Sequence, residues 1–130
     1  MRSSTLEIPI RGYHLDLYAH VNNARYLEFL EEARWAHYEG FIDGKIFEEN
    51  NWGFVIVNIN IDYKFPAGLG DVLVIESNIG EIKRKSVVFR QVGTIKESGK
   101  TVIDAAVTFV IIDRNTMRAQ SIAGTELEEL

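Results

Sequence analysis

The chain has 130 residues, 46% of them hydrophobic and 25% charged, the size and balance of one ordinary globular domain. A net charge of −5 gives no basic surface for a phosphate backbone, so nucleic acid is not expected as a partner. There is no cysteine, which excludes disulfides, thiolate metal ligands and a cysteine nucleophile, and the three histidines lack the spacing of a zinc site, so no metal or other cofactor is expected.

Residues 1–10 lack the apolar core of a signal peptide, and no segment approaches the roughly 18 apolar residues of a membrane span. A cytoplasmic protein without membrane insertion is the expectation. Residues 5–11 read as a first strand, placed near a sheet edge by Pro9. A turn containing Asp16 follows. Residues 23–39 carry the one long helical pattern, with Tyr26, Phe29, Leu30, Ala33 and Ala36 on one face and Leu27, Trp35 and Tyr38 widening it. So broad an apolar surface predicts a helix mostly enclosed by other structure.

Gly40 suits a helix stop, and residues 45–50 suggest a second, short helix. Residues 54–65 give the longest strand signal. Alternation there puts Val55, Val57, Ile59, Ile61, Tyr63 and Phe65 on one face, and Asn58, Asn60, Asp62 and Lys64 on the other. Residues 66–70 break the chain; strands at 71–82, 86–95 and 101–113 follow, the last two joined by a hairpin loop at 96–100. Residues 125–130 form a short helix or fray.

The order of strand, long apolar helix and four strands implies an α+β fold, a five-stranded antiparallel sheet wrapped around one long helix, in a single domain over residues 1–130. Such a sheet has two open edges, and pairing one with a second copy would continue it across a dimer.

Asp16 stands just before Asn22 and Asn23, which can start the helix. A carboxylate beside a helix N-terminus has a base or nucleophile on one side and unpaired N–H donors on the other, an arrangement suited to acyl chemistry. The plainer role for Asp16 is to cap its own turn, and for the two asparagines to cap the helix.

Asp16-Leu-Tyr-Ala19-His20-Val21-Asn22-Asn23-Ala-Arg-Tyr26, then Glu31-Glu32-Ala33-Arg34, then Tyr63-Lys-Phe-Pro66 followed by Asp71, resembles the hotdog-fold acyl-CoA thioesterases of the 4-hydroxybenzoyl-CoA thioesterase group. The match runs over nearly the whole chain. The stretches Arg-Gly-Tyr-His-Leu-Asp and Leu-Glu-Phe-Leu-Glu-Glu-Ala-Arg-Trp are similar, within that group, to the bacterial long-chain acyl-CoA thioesterases III. Two positions depart from the broad pattern: Ala19 replaces a glycine, in a turn that strains if it needs positive φ, and His14 replaces an acidic residue.

The resemblance implies a hotdog fold and hydrolysis of fatty acyl-CoA to free fatty acid and coenzyme A by a homodimer or homotetramer. Asp16 would act as nucleophile or general base, and the backbone N–H of Asn23 would hold the oxyanion. Tyr26 lies in the first helix turn, which lines the pocket in similar enzymes; His20 would position water, bind substrate or hold the loop. Lys83-Arg84-Lys85, the one basic cluster, and Lys64 are candidates for the coenzyme A phosphates, or else simply solvated charges. Phe29, Leu30, Trp35, Phe54 and Ile56 would serve as acyl-tail walls or as core, and Arg34 would pair with a carboxylate such as Glu31. The alternative function is a non-catalytic acyl-CoA sensor on the same fold.

Overall fold

The computed structural model describes residues 2–130. Strand β1 (Ser3–Pro9) leads through a short 3-10 turn (Gly12–His14) into helix α1 (Asn23–Phe41) and then helix α2 (Lys45–Asn50). Strands β2 (Trp52–Tyr63), β3 (Val72–Ile82), β4 (Val87–Ile95) and β5 (Thr101–Asp113) follow. A three-residue strand β6 (Arg118–Gln120) and a 3-10 turn (Glu126–Glu129) end the chain. All pairings are antiparallel in the order β1-β3-β4-β5-β2, so β1, with Pro9, is an edge strand and β2 is the other edge. The five long strands curl around α1 as expected. Strand β6 was not foreseen; it pairs with residues 111–113 of β5, on the side that β4 leaves free beyond Phe109.

Helix α1 buries Tyr26, Phe29, Leu30, Ala33 and Tyr38 against Leu73, Ile75, Phe89, Val107 and Phe109 from the concave face of the sheet. Each fully buried Leu, Ile, Val or Phe among them contributes about 1.5–3 kcal/mol. The helix is less enclosed than its apolar breadth suggests, since Leu27 and Trp35 on the flank beside β2 are 39% and 50% exposed. Gly40 does not end it: α1 continues to Phe41, and the N–H of Ile42 closes the last turn on the carbonyl of Tyr38 at 2.9 Å.

The facing of β2 also differs from simple alternation. Ile56 pairs with Phe109 and Asn58 with Thr108, leaving Val57 as an extra residue in a bulge. An extra residue reverses which side chains face inward. Phe54 and Ile56 therefore share the concave face with Ile59, Ile61 and Tyr63, while Val55 sits opposite Val110 on the outer face and Val57 is 56% exposed.

A candidate active site at the N-terminus of α1

The loop before α1 is fixed at several points by backbone bonds. His14 is buried; its Nδ1 accepts the Arg11 N–H at 2.9 Å and its carbonyl accepts the Asn22 N–H at 2.9 Å. Burial, helped by Arg25 and Arg11, holds the His14 ring below its ordinary pKa and favours the neutral form that accepts this bond. Val21 donates to the Ala67 carbonyl at 2.9 Å, and His20 bridges to Gly68, which ties the loop to residues 66–71. Asp71 closes that second loop, accepting the Gly68 N–H on Oδ2 at 2.8 Å.

Within this frame Asp16 does cap its own turn. Its Oδ1 accepts the N–H groups of Tyr18 at 2.8 Å and His20 at 3.3 Å. The turn requires positive φ at Ala19, which sits at 63°, where glycine is the easier residue. Oδ2 of Asp16 has no hydrogen-bond partner among the described residues. The capping bonds thus orient the carboxylate and leave one oxygen free.

Asn22 is the N-cap of α1, its Oδ1 accepting the Ala24 N–H at 3.0 Å. The N–H of Asn23, the first helical residue, has no acceptor among the described residues. It is one of the orphan donors of a helix N-terminus, reinforced by the positive end of the helix dipole. Asp16 and Asn23 line one cavity of about 440 Å³, together with Tyr26, Tyr63, Lys64 and Phe65. Tyr63 donates from its hydroxyl to the Asn23 carbonyl at 3.3 Å and so pins the first helical residue. Tyr26 is buried, with its hydroxyl accepting the Ala67 N–H at 3.2 Å. Burial raises its pKa, so it stays a neutral phenol.

Four of the residues singled out in the sequence, Asp16, Asn23, Tyr26 and Lys64, therefore meet in one cavity. His20 does not line it; its backbone holds the Asp16 turn and its side chain is exposed. Lys83, Arg84 and Lys85 are exposed in the β3–β4 turn, at the far end of the 11-residue β3, roughly 35 Å along the strand from the Asp71 loop. Phe29 and Leu30 are core, whereas Trp35, Phe54 and Ile56 line recesses at the α1–β2 seam. Arg34 does not pair with Glu31 but donates to Gln91, 57 residues away. His14, Tyr63 and Asp71 carry the site's scaffolding, and nothing local in the sequence assigns them those partners.

Residues 10–127 match the family model of the thioesterase-like superfamily. The chain belongs to that superfamily. This thioesterase-like chain is 48% identical over 124 residues, 95% of its length and 94% of the relative's, to the long-chain acyl-CoA thioesterase FadM of Escherichia coli (strain K12). It superposes on the crystal structure of YbaW, a probable thioesterase from Escherichia coli, with a TM-score of 0.89 and 49% identity, covering 96% and 93% of the two chains. A mutant 4-hydroxybenzoyl-CoA thioesterase complexed with 4-hydroxybenzoyl-CoA matches with a TM-score of 0.88 and 25% identity over 98% of both chains. The hotdog fold of the thioesterase-like proteins is thus present here.

Proposed function

We propose that the protein hydrolyses long-chain fatty acyl-CoA to fatty acid and coenzyme A, with Asp16 as the catalytic carboxylate and the Asn23 N–H as the oxyanion donor. The acyl-CoA thioesterase activity rests on the identity to a relative of that name along almost the whole chain. One observation carries the assignment of roles: a carboxylate oxygen and a backbone N–H, each without a partner among the described residues, belong to residues that line the same cavity. A thioester carbonyl bound there meets the Asp16 Oδ2 on one side while its oxygen receives the Asn23 N–H. The carboxylate attacks the carbonyl directly, forming a mixed anhydride that water then hydrolyses to the fatty acid, or takes a proton from an attacking water; in both routes the C–S bond breaks and the coenzyme A sulfur leaves as thiolate. A non-catalytic sensor has no use for an unpartnered carboxylate at this position.

Lys64, on the cavity wall, suits the coenzyme A phosphates. The cluster Lys83-Arg84-Lys85 lies too far along the sheet to serve the same chain's cavity, and would act on coenzyme A only in a neighbouring subunit's site. The free edge of β2, with Val57, Ile59 and Tyr63 open to solvent, suits pairing with a second copy in a homodimer or homotetramer. The test is thiol release from acyl-CoAs of 4 to 18 carbons by the wild type, Asp16→Asn and Asp16→Ala. Long-chain hydrolysis that collapses in both variants, with acyl-CoA binding retained, is the expected result; tight binding without turnover in the wild type would instead favour the sensor.

A further inference from the structure

Residues 11–22 leave β1 and return to α1 as a narrow loop whose two sides are bonded rung by rung. The Asp16 amide donates to the His20 carbonyl at 2.8 Å, Leu15 bridges to Val21, and the Asn22 amide donates to the His14 carbonyl at 2.9 Å. Asp16 stands near the tip of this ladder and Asn23 just beyond its base, so the rungs set the relation of the carboxylate to the open helix N–H. At the base His14 bonds on both sides: its carbonyl takes the Asn22 amide, and its Nδ1 accepts the Arg11 amide at 2.9 Å. A ring nitrogen accepts only when it carries no proton, so this bond requires the neutral imidazole with its hydrogen on Nε2.

The His14 ring is 7% exposed and is buried by the chain's own residues. It stands edge-on to Phe29 of α1, with centroids 4.9 Å apart, and to Tyr13 at 4.3 Å. The charged groups facing it are Arg11 from the loop, and Arg25 and Glu28 from α1. Arg25 is tied to the turn, donating to the Tyr13 carbonyl at 3.4 Å, and it also holds Glu28 Oε1 at 3.1 Å, so that carboxylate is already paired. A proton added to His14 would set N–H against N–H at Arg11 and a third positive charge beside two guanidiniums. Burial, Arg25 and Arg11 keep the ring's pKa below 6.5, so the ring is neutral and the Arg11 bond is made at neutral pH; the bond is lost as the pH falls through the lowered value.

We propose that His14 is a positioning residue for thioester hydrolysis: its neutral ring latches the base of the loop, and a proton on the ring opens the latch and moves the Asp16 carboxylate out of register with the Asn23 N–H. This role rests on the hydrolytic reading of Asp16 and gives that site an acid-sensitive control. A packing role asks only for an apolar ring against Phe29. Nδ1 does more, as the sole acceptor of the Arg11 amide among the described residues.

The experiment compares the full wild-type chain with His14→Asn, whose Oδ1 takes the place of Nδ1 without titrating, and with His14→Phe, which keeps a ring against Phe29 but has no acceptor. Thiol release from a long-chain acyl-CoA is followed from about pH 8 down to about pH 5, with tryptophan fluorescence reporting that each chain stays folded. His14→Phe is expected to lower kcat by about tenfold at neutral pH with KM little changed, and His14→Asn to restore most of that loss. The wild type loses kcat in acid, with a midpoint below 6.5, and His14→Asn carries its activity further into acid. Two readouts need no turnover: ring-nitrogen NMR should show Nδ1 without a proton at neutral pH, and the Arg11 and Asn22 amides should lose exchange protection through the same midpoint in the wild type only. If these hold and no thiol is released, the hydrolytic reading fails while the loop latch stands. If His14→Phe does not fold, His14→Asn and the NMR decide. A proton on Nδ1 at neutral pH, the same acid limb in wild type and His14→Asn, or full kcat in His14→Phe overturns the latch.

Discussion

Asp16 and His20 bond to each other twice: the Asp16 amide donates to the His20 carbonyl at 2.8 Å, and the Asp16 carboxylate accepts the His20 amide at 3.3 Å. The residue proposed to supply the reactive oxygen is thus the one that shapes its own turn.

Asp16→Asn keeps an oxygen for the Tyr18 and His20 amides and removes only the charge. It is expected to lower thioester hydrolysis by about 10²–10⁴-fold with little change in melting temperature. Asp16→Ala loses the cap as well, and should cost a further ~0.5–1.5 kcal/mol of stability, read as a lower urea midpoint. Comparing the two variants separates chemistry from turn geometry.

Ala19→Gly should stabilise the protein. At φ 63° alanine carries the left-handed strain that glycine avoids, a gain that exceeds the added freedom of the unfolded chain by about 0.5 kcal/mol. A melting temperature raised by a few degrees, with kcat unchanged, is the expected readout.

Stability should fall in acid through His37. Its ring is fully buried between Phe41 and Phe89, its Nδ1 shares a hydrogen with Ser4 Oγ at 2.6 Å, and its Nε2 has no partner among the described residues. Burial pushes its pKa down from 6.5 to about 4. The folded value lies below the unfolded one, so the unfolded chain binds more protons between those limits. Stability is full above pH 6.5 and drops by about 3 kcal/mol as the pH falls to about 4. His14, also depressed, adds a slope of the same sign. Urea midpoints measured across this range should flatten in His37→Asn.

Gln91→Met should be among the most damaging substitutions away from the active-site cavity. It strips the one side-chain hydrogen bond that the Arg34 guanidinium makes among the described residues and leaves Ser77 Oγ without its donor. A loss of about 3–5 kcal/mol is expected from equilibrium unfolding.

Much of this architecture can be read along the chain. The apolar rows of α1, the β-rich runs and the Asp16 to Tyr26 motif are local patterns, and each corresponds to an element or a cavity wall. What escapes is whatever depends on pairing across the sheet. The bulge at Val57 adds one residue without any local mark, and counting by twos then assigns Val55 and Val57 to the wrong face. Arg34 has Glu31 one turn away, but the fold delivers Gln91 from β4 instead. Strand β6 has too few residues to show a period. Asp16, Asn23 and Tyr26 were legible because one motif holds them, and Lys64 as a lone charge; Tyr63 and Asp71 stand in the second motif, but their bonds to Asn23 and Gly68, like that of His14 to Arg11, appear only in the folded chain.

The pairing order also bears on biosynthesis. Among the described residues of one chain β2 pairs only with β5, and β1 only with β3. The wall bearing Tyr63 to Pro66 therefore has no lattice to lie on until residues 101–113 have left the ribosome, and the segment preceding Asp16 has none until β3 has emerged. Contacts so distant in sequence close late. A nascent or truncated chain lacking β5 holds Asp16 and Asn23 but has no sheet to support the opposite wall of their cavity, so the cavity closes only once β5 is available.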